Sequence, residues 1–586
     1  TYDLIFKNIN MVSEKKYDFN IRSSLRLQYK IIEGLDLSTS VSVDYSQSEG
    51  NNFTPSTLDG VNGLSITMGA KQSNMMLQNE NLLHYKFSLR ERHNFDWLFG
   101  FSYTRDSQNR MNGRAKGAPS DYIHYAVDGM PSIKDLGGTL TAMQSFVSDY
   151  YEKIMVSYFG RVAYNFDQKY LMEFTLRRDG SSVFGKDVRW ATFPSVALGW
   201  NFSDEAFMKN FWWLNHGKLR GSWGTSGQVF QKAYLAQGVI DVGNEFLGVT
   251  GMVPAQLANT NLTWEKSEQY DLGLDVDLFD YRLKLKADYY YKYTKSMLWQ
   301  VSLPGTVYMH QRQWQNAIEC SNQGVELEAQ IDILRDTEIK WRARFNISHN
   351  DNRLEKTYSG QDVDEKYVIG KSVYELRAFK TDGYVQNIDE VPVYWDQNGN
   401  KVLLGDGGVV NSIRPGMKKI VDLNGDGRIT DDDLYFAGST LPVVYGGISS
   451  EIKWKQFDLS VLFNYSLGRH IINAFNKGSL NFSETSLGAI FEDYRNVTFW
   501  EKEGDTPDYP IIDVAYKYYN GQYDARTDDN IETVNFLRLK QLTIGYNLPS
   551  DIAKRIHLQG VRVFFTGENL FLWHNYSGLD PENVDL

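Results

Sequence analysis

Strict two-residue alternation, held over runs longer than soluble strands reach, constrains this chain more than any other feature. In 19–29, Phe19, Ile21, Leu25, Leu27 and Tyr29 fall on one face and Asn20, Arg22, Arg26 and Gln28 on the other. In 35–45, Leu35, Leu37, Val41, Val43 and Tyr45 repeat the pattern. In 281–293, Tyr281, Leu283, Leu285, Ala287, Tyr289, Tyr291 and Tyr293 oppose Arg282, Lys284, Lys286, Asp288 and Lys292. Val325, Leu327, Ala329, Ile331 and Ile333 oppose Glu326, Glu328, Gln330 and Asp332. Period two places successive side chains on opposite faces, so each run is a strand.

A soluble antiparallel sheet with one wet face alternates too. Two features separate this chain from that case. Its runs commonly reach ten residues or more, against about 5–6 in soluble strands and about 9–11 for a tilted strand crossing a bilayer. Its connections also sort by length. Short turns fall near 31–34, 167–169, 279–281, 335–338 and 454–457, and long segments at 47–80, 106–155, 226–262, 302–321, 351–440 and 470–533. Short turns at one edge and long loops at the other mark an outer-membrane barrel. The pattern predicts an all-β transmembrane antiparallel β-barrel with about sixteen strands in this chain. They lie near 18–30, 34–47, 81–92, 95–106, 155–166, 169–179, 190–203, 216–226, 263–278, 281–301, 322–334, 338–350, 441–454, 457–469, 534–548 and 560–572.

Composition narrows the function. The formal net charge is −12, which argues against nucleic acid, because that partner requires a basic stripe. The single cysteine, Cys320, excludes an internal disulfide and has no Cys/His motif around it. No run of about eighteen apolar residues forms a membrane helix, which leaves strand crossings open. No linker divides the 586 residues, so one β-barrel domain over 1–586 is expected, with a long extracellular loop region at 351–440.

Catalytic motifs find little support. Gly370-Lys371-Ser372 lacks the first glycine of a phosphate loop, since position 365 is Glu. No HExxH or GxSxG occurs. Glu326 and Glu328 alternate with apolar residues and read as the wet face of a strand rather than an acid/base pair. The chain is not expected to be an enzyme.

The strongest local motif lies at 422–433. Asp422, Asn424 and Asp426 stand at alternate positions, Gly427 follows, and Asp433 closes the run. Hard oxygens at that spacing fold around calcium, with Arg428 contributing its backbone carbonyl. Asp433 stands where Glu is usual. The competing interpretation is a solvated Asp/Gly turn. Aromatic residues in or beside the long loops, namely Trp299, Trp314, Tyr384, Tyr394 and Trp395, are candidates for stacking on sugar rings or peptide side chains. Loop packing or a membrane-boundary girdle competes with that role at each position.

Several stretches stop being generic. They are Tyr158-Phe-Gly-Arg-Val-Ala-Tyr164, Tyr170-Leu-Met-Glu-Phe-Thr-Leu-Arg-Arg-Asp-Gly-Ser-Ser182, Arg189-Trp190, Phe193-Pro-Ser195, Gly199-Trp200 and Leu219-Arg-Gly-Ser-Trp-Gly-Thr-Ser-Gly-Gln228. Leu262-Thr-Trp-Glu265, Asn322-Gln-Gly-Val-Glu326, Phe536-Leu-Arg-Leu-Lys540, Gly567-Glu-Asn-Leu570 and Gly578-Leu-Asp-Pro-Glu582 continue in order. Together they closely resemble the barrel of SusC/RagA-type TonB-dependent transporters. The resemblance implies an outer-membrane barrel of twenty-two strands, whose plug, TonB box, first few strands and last one or two strands are expected outside this chain. It also implies a SusD-like surface lipoprotein as lid, TonB as energy source, the lipid bilayer as surroundings, oligosaccharide or peptide as cargo, and a dimer of transporter–lid pairs. The resemblance implies a structural role for the calcium loop. The residues alone leave two other classes open: a passive porin or barrel scaffold of an outer-membrane assembly, and a secreted soluble calcium-binding β protein acting on glycans.

Overall fold

Sixteen of the alternating runs become strands, in a computed structural model that describes residues 12–58, 64–118, 120–122, 124, 133–134, 140–141, 144–230, 233–246, 249–303, 312–360, 367–390, 393–395, 401–403, 415–425, 431–473, 498–508, 510–511, 527–578 and 580–582. They are β1 (Ser13–Ile32), β2 (Leu35–Thr54), β3 (Ile66–Leu89), β4 (His93–Lys116), β5 (Gln144–Phe166), β6 (Tyr170–Ser181), β7 (Trp190–Trp200) and β8 (Leu214–Gln228). There follow β9 (Glu265–Leu278), β10 (Leu283–Ser302), β11 (Arg312–Leu334), β12 (Ile339–Lys356), β13 (Val444–Trp454), β14 (Phe457–Ile472), β15 (Ile531–Asn547) and β16 (Arg562–His574). They join one antiparallel sheet in which each strand pairs with its neighbours in sequence. Sequential pairing keeps every connection local and needs no crossover.

The strands outrun their sequence-predicted bounds at the long-loop ends. β2 and β3 pair from Leu35↔Tyr85 to Thr54↔Ile66, and β4 and β5 from His93↔Phe166 to Ala115↔Gln144. Much of 47–80, 106–155 and 302–321, expected as loop, is therefore strand. The added residues include polar ones such as Ser48, Asn51 and Asn52, and apolar ones out of alternation such as Met75, Met76, Phe146 and Val147. Apolar alternation fades there, so the sequence signal stops where the backbone ladder does not. The short helix Ser550–Arg555 between β15 and β16 was also unanticipated.

The contacts divide the chain into two compact units. The first holds the described residues of 1–199, 222–268 and 296–317, and the second those of 200–221, 269–295 and 318–586. In the first, β2 to β6 pair in continuous register, and β1 pairs with β2 with one irregularity between Lys30 and Ile32. Tyr170, Met172, Phe174 and Leu176 project outward from β6 and are exposed. The opposite face carries charge: Arg161 of β5 bonds Asp96 of β4 at 3.0 Å, and Asp96 also takes His84 of β3 at 2.8 Å. In the second unit, β11 to β16 pair antiparallel in chain order, with register shifts in the β11–β12, β14–β15 and β15–β16 ladders. Val325, Leu327 and Ile331 are exposed on one face. On the other, Arg344 meets Glu451 at 2.7 Å and Gln330 at 2.9 Å, and Arg342 meets Asp332 at 2.6 Å. Arg220 of β8 likewise binds Asp275 of β9 at 3.0 Å and Asp288 of β10 at 2.9 Å. Each unit thus has an exposed apolar face and a salt-bridged polar face, the reverse of a water-soluble sheet.

Tight turns set the register at the short edge. Arg90 and Glu91, and again Asp167 and Gln168, hold φ between 51° and 59°. Two consecutive left-handed residues give the hairpin turn whose twist matches its strands. Arg92 braces the two turns: its carbonyl accepts from Asp167 N at 2.8 Å, and its guanidinium bonds the Asp167 carboxylate at 2.8 Å. Gly34, at φ +79°, closes β1–β2, where a Cβ would sit 2.1 Å from the Lys86 carbonyl oxygen. Aromatic rings gather beside these turns. Phe87 stacks on Phe95 at 4.8 Å, Phe95 meets Tyr164 at 5.0 Å, and Phe166 stacks on Tyr170 at 6.3 Å. Such a belt matches the aromatic girdle at a membrane boundary.

The two faces make opposite demands on one β-hairpin. Leu327→Arg, on the exposed apolar row, is expected to lose about 2–4 kcal/mol of stability in a bilayer. Glu328→Gln, one residue away, breaks only an exposed contact with Lys286 at 3.4 Å and is expected to cost under about 1 kcal/mol. Urea unfolding of the vesicle-embedded protein measures both.

Candidate functional site

The long connections 357–443 and 473–530 both lie in the second unit. Within the first of them, Glu375–Phe379 pairs antiparallel with Leu434–Ser439, and Thr381–Tyr384 pairs with Lys418–Ile420. Short strands cannot stand alone in water, and these are anchored by a small apolar core. Ala378, Phe379, Val385 and Met417 are fully buried, with Trp500 of the second connection nearly so. Gly416, at φ +89°, lets the chain pass against that ring, since a Cβ there would lie 2.5 Å from Trp500 and 2.7 Å from Ile511.

Polar groups tie the two connections together. The Lys418 side chain is 5 % exposed, and its Nζ donates to Thr527 Oγ1 at 3.1 Å and pairs with Asp529 at 3.1 Å. Asp528 accepts from Thr381 N at 3.0 Å, Thr381 Oγ1 at 2.6 Å and Tyr435 Oη at 3.0 Å. Burial, together with that carboxylate, pushes the Tyr435 phenol up to about 12. Gln386 is a second hub. Its Oε1 accepts from Gly504 N at 2.8 Å and Trp500 Nε1 at 3.4 Å, while its Nε2 donates to the Asp505 carbonyl at 3.2 Å. Asn387 donates to Glu503 at 2.8 Å. A buried ammonium with a carboxylate and a hydroxyl around it is stable only when the surrounding backbone is fixed. The described parts of the two connections therefore form one knitted body.

The described part of the calcium-type loop lies in this body. Asp433 is fully buried, and its Oδ1 accepts from Leu423 N at 2.9 Å and Asn424 N at 3.3 Å. Asp422 Oδ1 accepts from Gly425 N at 2.7 Å. Asp422, Asn424 and Asp433 thus meet at one turn. Asp426 and Arg428 lie outside the described residues. Among the described residues, no group of three or more His, Cys, Asp or Glu side chains is arranged to hold a metal.

The aromatic candidates fall in both units. Trp314, on β11, packs against Leu235, Ala236 and Leu262 in the first unit, and its carbonyl accepts from Asn259 at 2.8 Å. Trp299 is half-buried near the end of β10. Tyr384 is half-buried in the second unit, where its hydroxyl donates to the Asp508 carbonyl at 3.1 Å. Tyr394 and Trp395 lie in the short strand Val393–Trp395, paired with Lys401–Leu403; their side chains fall outside the described residues. Lys418, Gln386, Asp528 and Asp529 carry no local sequence signal, because their partners stand about a hundred residues away.

The model of the family described as TonB dependent receptor-like, beta-barrel matches residues 6–400. TonB-dependent receptor P3 of Formosa agariphila is 32% identical, over 97% of this chain and 55% of its own length. TonB-dependent receptor SusC of Bacteroides thetaiotaomicron is 31% identical, over 73% of this chain and 41% of its own. The chain spans about half the length of the curated relatives it matches. A solved structure of the RagAB peptide transporter superposes with a TM-score of 0.75 at 24% identity, covering 98% of this chain and 60% of that one.

Two outcomes test the knitted body. Lys418→Ala removes one partner of a buried pair and is expected to loosen both connections by about 3 kcal/mol. Hydrogen exchange should then quicken at 376–385 and 498–508 together, while β11–β14 keep their protection. The second outcome concerns acid. Backbone amides of Lys502 and Glu501 hold the Asp505 carboxyl below the usual carboxylate range, and the amide and hydroxyl of Thr498 do the same for Asp508. A lowered folded-state value stabilises above the ordinary carboxylate range and is lost as pH falls through the lowered value. Protection of the Thr498, Glu501 and Lys502 amides should therefore hold at pH 7 and fail below roughly pH 4.

Proposed function

Because the chain belongs to the TonB dependent receptor-like β-barrel family, whose members are transporters of the outer membrane rather than enzymes, we propose that it is the barrel wall of an active SusC-like nutrient importer. Its cargo in this proposal is an oligosaccharide or peptide. A SusD-like surface lipoprotein captures the cargo, TonB supplies the energy, and transporter–lid pairs associate as dimers. The observation that carries the proposal is the pairing of a salt-bridged polar face with an exposed apolar face on the same strands. A hydrated path for polar cargo needs the first, and a lipid environment needs the second. The RagAB peptide transporter, which has the same fold, favours peptide cargo, and the SusC relative keeps the saccharide alternative in view.

The body knitted from the described parts of 357–443 and 473–530 would present the fixed surface on which a lid rests. Calcium, held by Asp422, Asn424, Asp426, Asp433 and the Arg428 carbonyl, would stiffen it. The meeting of Asp422, Asn424 and Asp433 at one turn fits this set of hard oxygens. The cation would act structurally, with no part in transport chemistry.

Uptake of labelled peptides and labelled oligosaccharides into cells carrying the intact transporter tests the proposal. One cargo class should accumulate, and uncoupling the proton-motive force should abolish accumulation. Equal entry with and without the force would instead mark a passive pore. For the metal, calcium at a hundred times its Kd should slow amide exchange across 415–440 by about 100-fold. EGTA or Asp433→Asn should remove that protection. Exchange insensitive to calcium would leave an ordinary Asp/Gly turn.

A further inference from the structure

The connection 201–213, between β7 and β8, differs from the tight turns at 33–34, 90–92 and 167–169. It is built from overlapping turns, with Glu205 N bonding Phe202 O at 3.1 Å, Met208 N bonding Glu205 O at 3.1 Å and Phe211 N bonding Met208 O at 3.1 Å. Its sequence, Phe202-Ser-Asp-Glu-Ala-Phe-Met-Lys-Asn-Phe-Trp-Trp213, places large apolar rings among charged residues. Those rings are not buried: Trp212 is 80% exposed and Phe207 62%. A soluble surface rarely leaves so many rings of one segment in water.

The rings also continue an apolar row. On β8, Arg220 lies on the polar face with Asp275 and Asp288, so alternation puts Trp213, Gly217 and Leu219 on the opposite face. Leu219 is exposed there, as are Tyr281 in the turn before β10 and Tyr289 on β10. Gly217 leaves a gap in this row, and Phe202 fills it: a Cβ at Gly217 would lie 2.4 Å from that ring. Phe211 meets Trp213 edge-on at 5.7 Å, and Trp212 lies 6.3 Å from Phe279 of the neighbouring turn. The connection therefore folds across the apolar face of its own strands. Asp204, Lys209 and Asn210 are exposed alongside.

We infer that residues 201–213 form an elbow lying in the phospholipid headgroup layer on the short-turn side of the membrane, with Trp212 and Phe207 inserted. The partner is lipid rather than protein because the rings extend a lipid-facing row without a break. Tryptophan suits that layer, since its ring is apolar and its N–H bonds water or headgroup oxygens. Lys209 adds attraction to headgroup phosphates. The inference rests on the membrane reading of the family.

Tryptophan fluorescence of the purified protein in phosphatidylcholine–phosphatidylglycerol vesicles tests it. The signal of Trp212 is the difference between wild type and Trp212→Phe. A nitroxide near the headgroup should quench that difference about two-fold more than one near the chain end, and aqueous iodide should barely reach it. Phe207→Trp in the Trp212→Phe background moves the probe to the other inserted ring and should behave alike. Iodide quenching of both probes, with other tryptophans still quenched by lipid nitroxide, would overturn the elbow alone. Absence of lipid quenching at every tryptophan would overturn the membrane reading together with it.

Discussion

A strand in hydrocarbon has no water to satisfy its N–H and C=O groups, so every one must pair with a neighbouring strand. That constraint organises the whole chain. It requires long ladders in uninterrupted register, such as the twenty-residue run of β2 against β3 from Leu35↔Tyr85 to Thr54↔Ile66. It requires tight connections wherever the chain must return at once, hence the left-handed pairs Arg90–Glu91 and Asp167–Gln168. Once the backbone is paired, side chains alone distinguish the two faces. Leu, Val, Ile and aromatic rows meet lipid, and Arg–Asp pairs such as Arg220 with Asp275 and Asp288 meet water.

Departures from this scheme occur at the strand ends. Toward the short turns, aromatic residues replace aliphatic ones, as at Phe87, Phe95 and Tyr164, where an amphipathic ring suits a boundary. Toward the long connections, the ladders run on without strict alternation, as at Gln47 to Asn52 and at Phe146 and Val147. Beyond them, the chain becomes a second kind of structure, held by a few long-range contacts. Lys418 with Asp529, Thr381 and Tyr435 with Asp528, and Gln386 with Trp500 and Gly504 replace periodic pairing. The apolar face faces lipid, while these contacts fix the described parts of the two long connections.

Legibility in the sequence follows the same division. The sixteen strands were readable because period two is a local signal, and Glu328 between Leu327 and Ala329 announces its face unaided. The extensions of β2 to β5 lack the period-two signal, because Ser48 to Asn52 alternate with nothing apolar and Met75-Met76 and Phe146-Val147 put apolar residues at successive positions. For Trp314 the sequence leaves stacking and loop packing equally open, since a tryptophan beside a long loop carries no mark of what covers it. The structure packs it on Leu235, Ala236 and Leu262. The knitted body was invisible, because Lys418 gains meaning only from Thr527 and Asp529, which the chain brings back after a long excursion.

The central claim is that odd and even residues of one strand see different solvents. Single cysteines at 325–332 in a Cys320→Ser background, spin-labelled and placed in vesicles, measure this residue by residue. Labels at Val325, Leu327, Ala329 and Ile331 should respond to oxygen dissolved in lipid, and those at Glu326, Glu328, Gln330 and Asp332 to a water-soluble nickel chelate. An accessibility profile without that alternation, or with its phase reversed, would contradict the account.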